Sequence, residues 1–259
     1  MRVYLPWLGE FGSELLKWVT RINADKQRKI VCFEKGKEVL YVRGNVEDFY
    51  VVDRIAEAER KCSGALWQEN IWAEIIAYYG TDNEYIKPST TWWSTNYLQN
   101  KPFVPTVSDD YKIECDIAVF PRWRHNTARK NWEQWPDFVD MLKAEGFNVF
   151  ACGHPDSSYK VDCEFAWDYH NSLAASIGAI KNSNVRIGCN TALNILSLYC
   201  GMPVWVIISE KGMSCNVGKD GVNYAYYWFA DHKDVGWKVF PFYNEPERII
   251  PFICENIES

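Results

Sequence analysis

The sequence predicts an α/β protein made of two Rossmann-like halves, each with a parallel sheet. Three observations point to this fold class. Short apolar segments alternate with segments of helical periodicity, as in βαβ units. The length of 259 residues allows two small domains as readily as one large one. Residues 81–110, rich in Thr, Ser and Asn and punctuated by Pro, keep neither periodicity for long and indicate a linker. We therefore expect domains at 1–105 and 106–259.

The first half opens with a strand, a glycine-containing turn and a helix. Ser13 can cap that helix, and Glu14 in its first turn complements the helix dipole. Gly80 terminates the last helix of this half. The predicted elements are a strand at 3–5, a helix at 14–24, strands at 29–33 and 49–52, and a helix at 65–79.

The second half shows a cleaner strand and helix alternation, with Gly146 and Gly201 ending helices. In such parallel sheets, ligands collect at the carboxyl ends of the strands. The predicted elements are strands at 116–120, 148–151, 185–187 and 203–208, separated by helices at 135–145, 172–182 and 192–200.

Composition excludes several classes. A net charge of −6 and a pI near 5.4 argue against a broad nucleic-acid surface. The nine cysteines form no C-x-x-C pair, and the four histidines lack zinc-ligand spacing, so we expect reduced thiols and no metal site. Apolar runs fall short of the roughly 18 residues of a membrane span, and no secretory signal opens the chain. We expect a cytoplasmic protein without a membrane span.

Two loops of the second half can hold phosphate. Gly188 ends a strand, and Asn190 or Thr191 caps the next helix, whose first amides and dipole attract anions. The alternative is an ordinary capped connection. In the other loop, Arg122, Arg124, His125, Arg129 and Lys130 follow a buried strand, and guanidinium groups chelate phosphate oxygens well. The alternative there is a solvated loop.

The first half contributes a carboxylate after its first strand. Gly9 and Gly12 permit close approach of a ligand, and Glu10 between them can take a proton from an attacking hydroxyl. The alternative is that Glu10 only complements the helix dipole. Fingerprints of dinucleotide oxidoreductases, P-loop enzymes and α/β-hydrolases are absent from the sequence.

These segments resemble those of the heptosyltransferase-like glycosyltransferases, a group with the GT-B fold that uses nucleotide sugars. The resemblance covers about residues 115–210, and the amino-terminal half is shorter than in that family. The matching segments are Leu8-Gly9-Glu10, Arg129-Lys130-Asn131-Trp132, Trp135-Pro136, Val149-Phe150-Ala151-Cys152-Gly153, Asn171-Ser172-Leu173, Ile187-Gly188-Cys189-Asn190-Thr191-Ala192 and Gly201-Met202-Pro203.

The resemblance implies a GT-B-like fold with a reduced first half and a donor site between the halves. The family has Asp-Ser-Gly and then His where this chain has Cys189-Asn190-Thr191 and Asn194, so a charged contact to the donor is lost or replaced. Glu10 takes the position of the family's proposed catalytic base. The implied donor-binding residues are Gly9, Gly12, Arg122, Arg124, Lys130, Gly153, Asn171, Ser172, Cys189, Asn190, Thr191 and Asn194.

We therefore expect an enzyme that transfers a sugar from a nucleotide-sugar donor to a hydroxyl acceptor, a glycan or a small molecule. Helix termini and basic side chains would stabilise the leaving diphosphate, so neither a metal nor a further cofactor is expected, and no D-x-D sequence is present. One alternative is a phage-type DNA glycosyltransferase that flips a hydroxymethylated base into an aromatic pocket. Another is a noncatalytic nucleotide-binding module.

Overall fold

The chain folds into two compact units, Met1–Phe103 and Val104–Ser259. The computed structural model describes residues 1–8, 11, 14–41, 44–53, 66–88, 105, 107–123, 131–189, 191–208, 237–241 and 245–257. Each unit contains one parallel sheet, which confirms the predicted fold class.

The first unit holds a four-stranded parallel sheet in the order β3-β2-β1-β4. One long helix packs against it, with Trp72 and Ile75 in a core that also contains Val3 and Ile30. The elements are β1 (Arg2–Tyr4), a π-helix (Glu14–Val19), α1 (Thr20–Ala24), β2 (Lys29–Glu34), β3 (Val46–Val52), α2 (Leu66–Tyr79) and β4 (Glu84–Ile86).

Two predictions for the first unit are corrected. The region assigned to a linker contains β4, whose Tyr85 pairs with Val3 of β1, because even a three-residue segment can complete a sheet whose edge is open. The helix predicted at 14–24 starts as a π-helix and becomes α-helical only at Thr20. Ser13, its predicted cap, lies outside the described residues.

The second unit holds a six-stranded parallel sheet in the order β10-β9-β8-β5-β6-β7. The predicted alternation is confirmed, and the elements that the sequence pattern missed are β7, the short α4, β10 and α7. The elements are β5 (Cys115–Phe120), α3 (Trp135–Ala144), β6 (Val149–Ala151), β7 (Glu164–Phe165), α4 (Ala166–His170), α5 (Leu173–Asn182), β8 (Ser183–Cys189), α6 (Ala192–Tyr199), β9 (Val204–Ile208), β10 (Trp237–Pro241) and α7 (Pro246–Ile257).

Both faces of this sheet are covered. On one face, Ile117 and Val119 of β5 join a core cluster with α3 and α7. The alternate residues Ala118 and Phe120 are also buried but lie outside that cluster. Burial of successive residues is typical of a parallel strand between two helix layers, and it leaves the strand ends as the place where a ligand can reach the sheet.

Three further observations concern the described residues. Their helices include none with the length and hydropathy that a membrane crossing requires. Their cysteines are free thiols and mostly buried. They include no group of three or more His, Cys, Asp or Glu side chains arranged to hold a metal ion.

Candidate functional site

The carboxyl ends of β8, β5 and β6 lie side by side in the second sheet. Phe120, the last residue of β5, pairs with Gly188 near the end of β8. On the other side, Val119 pairs with Ala151, the last residue of β6. The loops that follow these three strands carry the predicted residues Arg122, Gly153 and Thr191, so the parallel register brings them to one edge of the sheet.

The turn from β8 into α6 is tightly packed. A Cβ atom on Gly188 would lie 2.7 Å from Asn194 Oδ1 and 2.7 Å from Phe120 Cδ2, so only glycine fits there without a shift. The buried Asn194 donates a hydrogen bond from Nδ2 to the Cys189 carbonyl oxygen at 2.5 Å. Thr191 caps α6, with its Oγ1 accepting from the Leu193 N–H at 3.5 Å. The side chain of Asn194 thus ties the helix start to the strand end.

The Cys189 side chain lies in the hydrophobic core. Burial raises the pKa of its thiol to about 12, although the positive charge of Arg122 acts in the opposite direction. The thiol is therefore neutral at physiological pH. Any contact that Cys189 makes with a ligand at this edge would have to come from its backbone.

Gly153 brings the first turns of two helices together. Its φ of +106° favours glycine, and its N–H donates to Ser176 Oγ in the first turn of α5 at 3.1 Å. A Cβ atom at this position would lie 3.3 Å from Leu193 in the first turn of α6. The amino-terminal ends of α5 and α6 therefore meet beside the end of β6.

The entry to α5 is built from Asn171 and Ser172. Asn171 adopts the left-handed conformation, with φ 48° and ψ 38°. Its N–H donates a hydrogen bond to the Trp167 carbonyl oxygen at the end of α4. Ser172 caps α5 by accepting a hydrogen bond from the Ala174 N–H at 3.1 Å. The Ser172 carbonyl oxygen also accepts a hydrogen bond from the Ala175 N–H at 3.3 Å, so Ser172 satisfies two of the first amides of α5.

The loop that carries Arg122 is held by the segment after β6. Arg122 forms an isolated antiparallel bridge with Ser158, and the Trp123 N–H donates to the Ser157 carbonyl oxygen at 2.9 Å. These contacts anchor the backbone of Arg122 at the strand edge.

The predicted residues differ in how far a ligand can reach them. Cys189 and Asn194 are fully buried, so their side chains serve packing and the connection of β8 to α6. The partly or fully exposed ones are Arg122, Gly153, Asn171, Ser172 and Thr191. The predicted residues outside the described part of the chain are Gly9, Glu10, Gly12, Arg124, Lys130 and Asn190.

Three residues at this edge, Ser176, His154 and Trp167, were missed as site residues from the sequence. Ser176 holds the Gly153 amide, as described above. The His154 ring packs edge-on against Trp167, with ring centroids 4.8 Å apart, and His154 Nδ1 accepts a hydrogen bond from the Asp156 N–H at 3.1 Å. The position of His154 one residue after Gly153 was the available signal.

This edge combines two capped helix starts, a glycine turn between them and a guanidinium group on the next loop. Helix starts concentrate N–H donors and positive potential, and Arg adds a full charge with a planar fork. The arrangement is chemically suited to an extended anion such as a diphosphate.

Comparison with known proteins gives structural matches only. No protein-family model matches the sequence, and no curated protein matches it. A solved family 9 glycosyl transferase from Veillonella parvula is 12% identical with a TM-score of 0.53, covering 100% of this chain and 97% of that one. E. coli heptosyltransferase WaaC with ADP is 12% identical with a TM-score of 0.51, covering 99% of this chain and 100% of that one.

A third solved structure, the E. coli ADP-heptose lps heptosyltransferase II, is 11% identical with a TM-score of 0.55, covering 100% of this chain and 99% of that one. At such low identity the likeness establishes the fold. The chain therefore has the two-sheet GT-B fold of the heptosyltransferase-like glycosyltransferases that its sequence resembles.

Proposed function

We propose that this protein is a glycosyltransferase that binds a nucleotide-sugar donor at the carboxyl edge of the second sheet. The observation that carries the proposal is the meeting of the α5 and α6 starts at Gly153, next to the loop of Arg122. A donor diphosphate carries two negative charges that such a group of amides and a guanidinium can bind. One of the structures with this fold is a heptosyltransferase solved with ADP.

In the proposed reaction, an acceptor hydroxyl attacks the anomeric carbon of the donor sugar. The bond from that carbon to the diphosphate oxygen breaks, and the nucleoside diphosphate leaves with the bonding electron pair. Glu10 takes the hydroxyl proton as general base. Amides of the two helix starts and the basic side chains Arg122, Arg124 and Lys130 stabilise the charge that develops on the leaving group, so the proposed transfer uses no metal.

The donor site is tested by binding. A thermal-shift screen with ADP, UDP, GDP and their sugar derivatives identifies the preferred nucleotide, because a ligand that binds the native state raises its melting temperature. Arg122→Met should then weaken the binding of that nucleotide about 10- to 100-fold, equal to roughly 1.4–2.8 kcal/mol of binding free energy for one charge-assisted contact. Arg28→Met, at an exposed arginine of the first unit, is the matched control and should bind as the wild type does.

The base is tested by turnover. Glu10→Gln should abolish most transfer while donor binding persists, and Glu69→Gln, on the exposed surface of α2, should leave both unchanged. Unchanged turnover of Glu10→Gln would remove Glu10 from the mechanism. A wild-type protein that binds a nucleotide but transfers no sugar from any donor would instead be a binding module.

We also propose that the protein acts in the cytoplasm on a hydroxyl acceptor that is a glycan or a small molecule. The whole chain is acidic, with a net charge of −6, which argues against a broad nucleic-acid surface. No observation favours a DNA acceptor.

A further inference from the structure

The first unit buries a group of ionisable side chains, here called the lysine cluster, which consists of Glu14, Glu34, Lys37 and Tyr41. Glu14 and Glu34 are fully buried, and Lys37 and Tyr41 are nearly so. Glu34 is the last residue of β2, and Glu14 is the first residue of the π-helix. The cluster therefore lies at the carboxyl end of β2, where it meets the first helical segment.

One ammonium group connects the cluster. Lys37 Nζ lies 2.5 Å from Glu14 Oε2 and 2.9 Å from Glu34 Oε2. The Tyr41 hydroxyl donates a hydrogen bond to Glu14 Oε1 at 2.9 Å, so both oxygens of Glu14 are engaged. Glu14 is thus fixed from two sides, although burial raises the pKa of its carboxyl group and disfavours its ionised form.

Lys37 also reaches the segment that precedes Glu14. Its Nζ lies 5.1 Å from the centroid of the Phe11 ring, within the range of a cation–π contact. Phe11 and Glu14 border residues 12 and 13, and Phe11 follows Glu10 directly in the sequence. A single side chain from the turn after β2 therefore contacts both ends of this short piece of chain.

The cluster is poorly suited to a purely stabilising role. Two carboxylates and one ammonium, all buried, leave one net negative charge when ionised, and well-packed apolar residues usually replace such buried groups without loss of stability. Buried ionic groups can instead impose one specific conformation. The π-helix that begins at Glu14 is itself a distortion that occurs often at functional sites.

We propose that Lys37 is a positioning residue: it fixes Phe11, which follows Glu10 directly in the sequence, and it fixes Glu14, three residues further on. The inference rests on the proposed function, in which Glu10 is the general base. Lys37 acts through Phe11 and Glu14 rather than on the substrate. A base displaced by about 1 Å can lose on the order of 100-fold in rate.

The test removes the whole charge group, because Lys37→Met alone would leave two buried carboxylates without a counter-ion. In the triple variant Lys37→Met/Glu14→Gln/Glu34→Gln, kcat should fall at least tenfold, while the affinity for the donor nucleotide stays within twofold of wild type. Hydrogen–deuterium exchange in residues 9–13 should become faster, and exchange in β1 and β2 should not change. Lys26→Met, at an exposed lysine of the same unit, should alter none of these quantities.

The outcomes separate this inference from the proposed function. A folded triple variant with wild-type kcat and wild-type exchange in residues 9–13 would overturn the positioning role. If the wild-type protein transfers no sugar from any donor, the proposed function fails, and the exchange measurement alone decides: faster exchange in the variant supports the positioning of this segment by Lys37, and unchanged exchange refutes it.

Discussion

Replacing Gly188 by alanine tests whether the turn from β8 into α6 is as tightly determined as its geometry indicates. The new Cβ atom would lie 2.7 Å from Asn194 Oδ1, 2.7 Å from Phe120 Cδ2 and 2.8 Å from Phe120 Cβ. The first two distances fall about 0.7 Å short of ordinary van der Waals contact, which begins at 3.4 Å. Three short contacts from one methyl group require that a neighbour moves.

Neither neighbour can move freely. Phe120 is buried within β5, and the buried Asn194 is tied by its Nδ2 atom to the Cys189 carbonyl oxygen. Overpacking of this kind costs about 1–3 kcal/mol of unfolding free energy. Since Asn194 belongs to the first turn of α6, its displacement should also weaken nucleotide binding by about tenfold, equal to roughly 1.4 kcal/mol.

The assay combines urea denaturation with nucleotide titration of Gly188→Ala. Gly44→Ala is the matched control, because a Cβ atom at Gly44 would meet nothing within 4 Å, and it should cost no stability. Wild-type stability together with wild-type nucleotide affinity in Gly188→Ala would refute the packing argument. A loss of stability with intact affinity would show that the start of α6 does not bind the nucleotide.

Three further predictions concern stability. Ser176→Ala leaves the Gly153 N–H without its acceptor and should lower the unfolding free energy by about 1–3 kcal/mol in urea denaturation, and an unchanged value would contradict that bond. Gly178→Ala places a Cβ atom 1.7 Å from the Tyr111 carbonyl oxygen and should cost about 3 kcal/mol or more, so a variant that melts with the wild type would contradict this packing. Burial raises the pKa of Glu14, so the stability that its protonated form contributes is fully present below the ordinary value of 4.5 and is lost as pH rises through the folded-state pKa. Glu14→Gln should therefore gain stability relative to the wild type as pH rises above 4.5, and a difference that does not vary with pH would contradict the shift.

The sequence predicted the interior strands of both sheets but missed the edge strands β4, β7 and β10, for a physical reason. Strands of a parallel sheet are buried on both faces, so they appear as compact apolar runs such as 116–120, and glycines mark the helix ends. Short elements at sheet edges, such as β4 and β7, bury too little to leave such a pattern. Each of them forms by pairing with another strand, β4 with β1 and β7 with β6, and not through a pattern in its own residues.

Side-chain roles at the candidate site were harder to predict. The resemblance assigned Cys189 to the donor, although strand alternation places it on the same face as Val185 and Ile187, which belong to the core. That alternation was available in the sequence. The lysine cluster was not, because Lys37 meets Glu14 only through the tertiary fold and the π-helix.

The most direct test of a donor diphosphate at the edge of the second sheet is hydrogen–deuterium exchange with and without the preferred nucleoside diphosphate. The account predicts that the nucleotide slows exchange in residues 152–154, 172–176 and 188–194, which surround the two helix starts. Slower exchange confined to other segments, or no effect from ADP, UDP or GDP at saturating concentration, would contradict it.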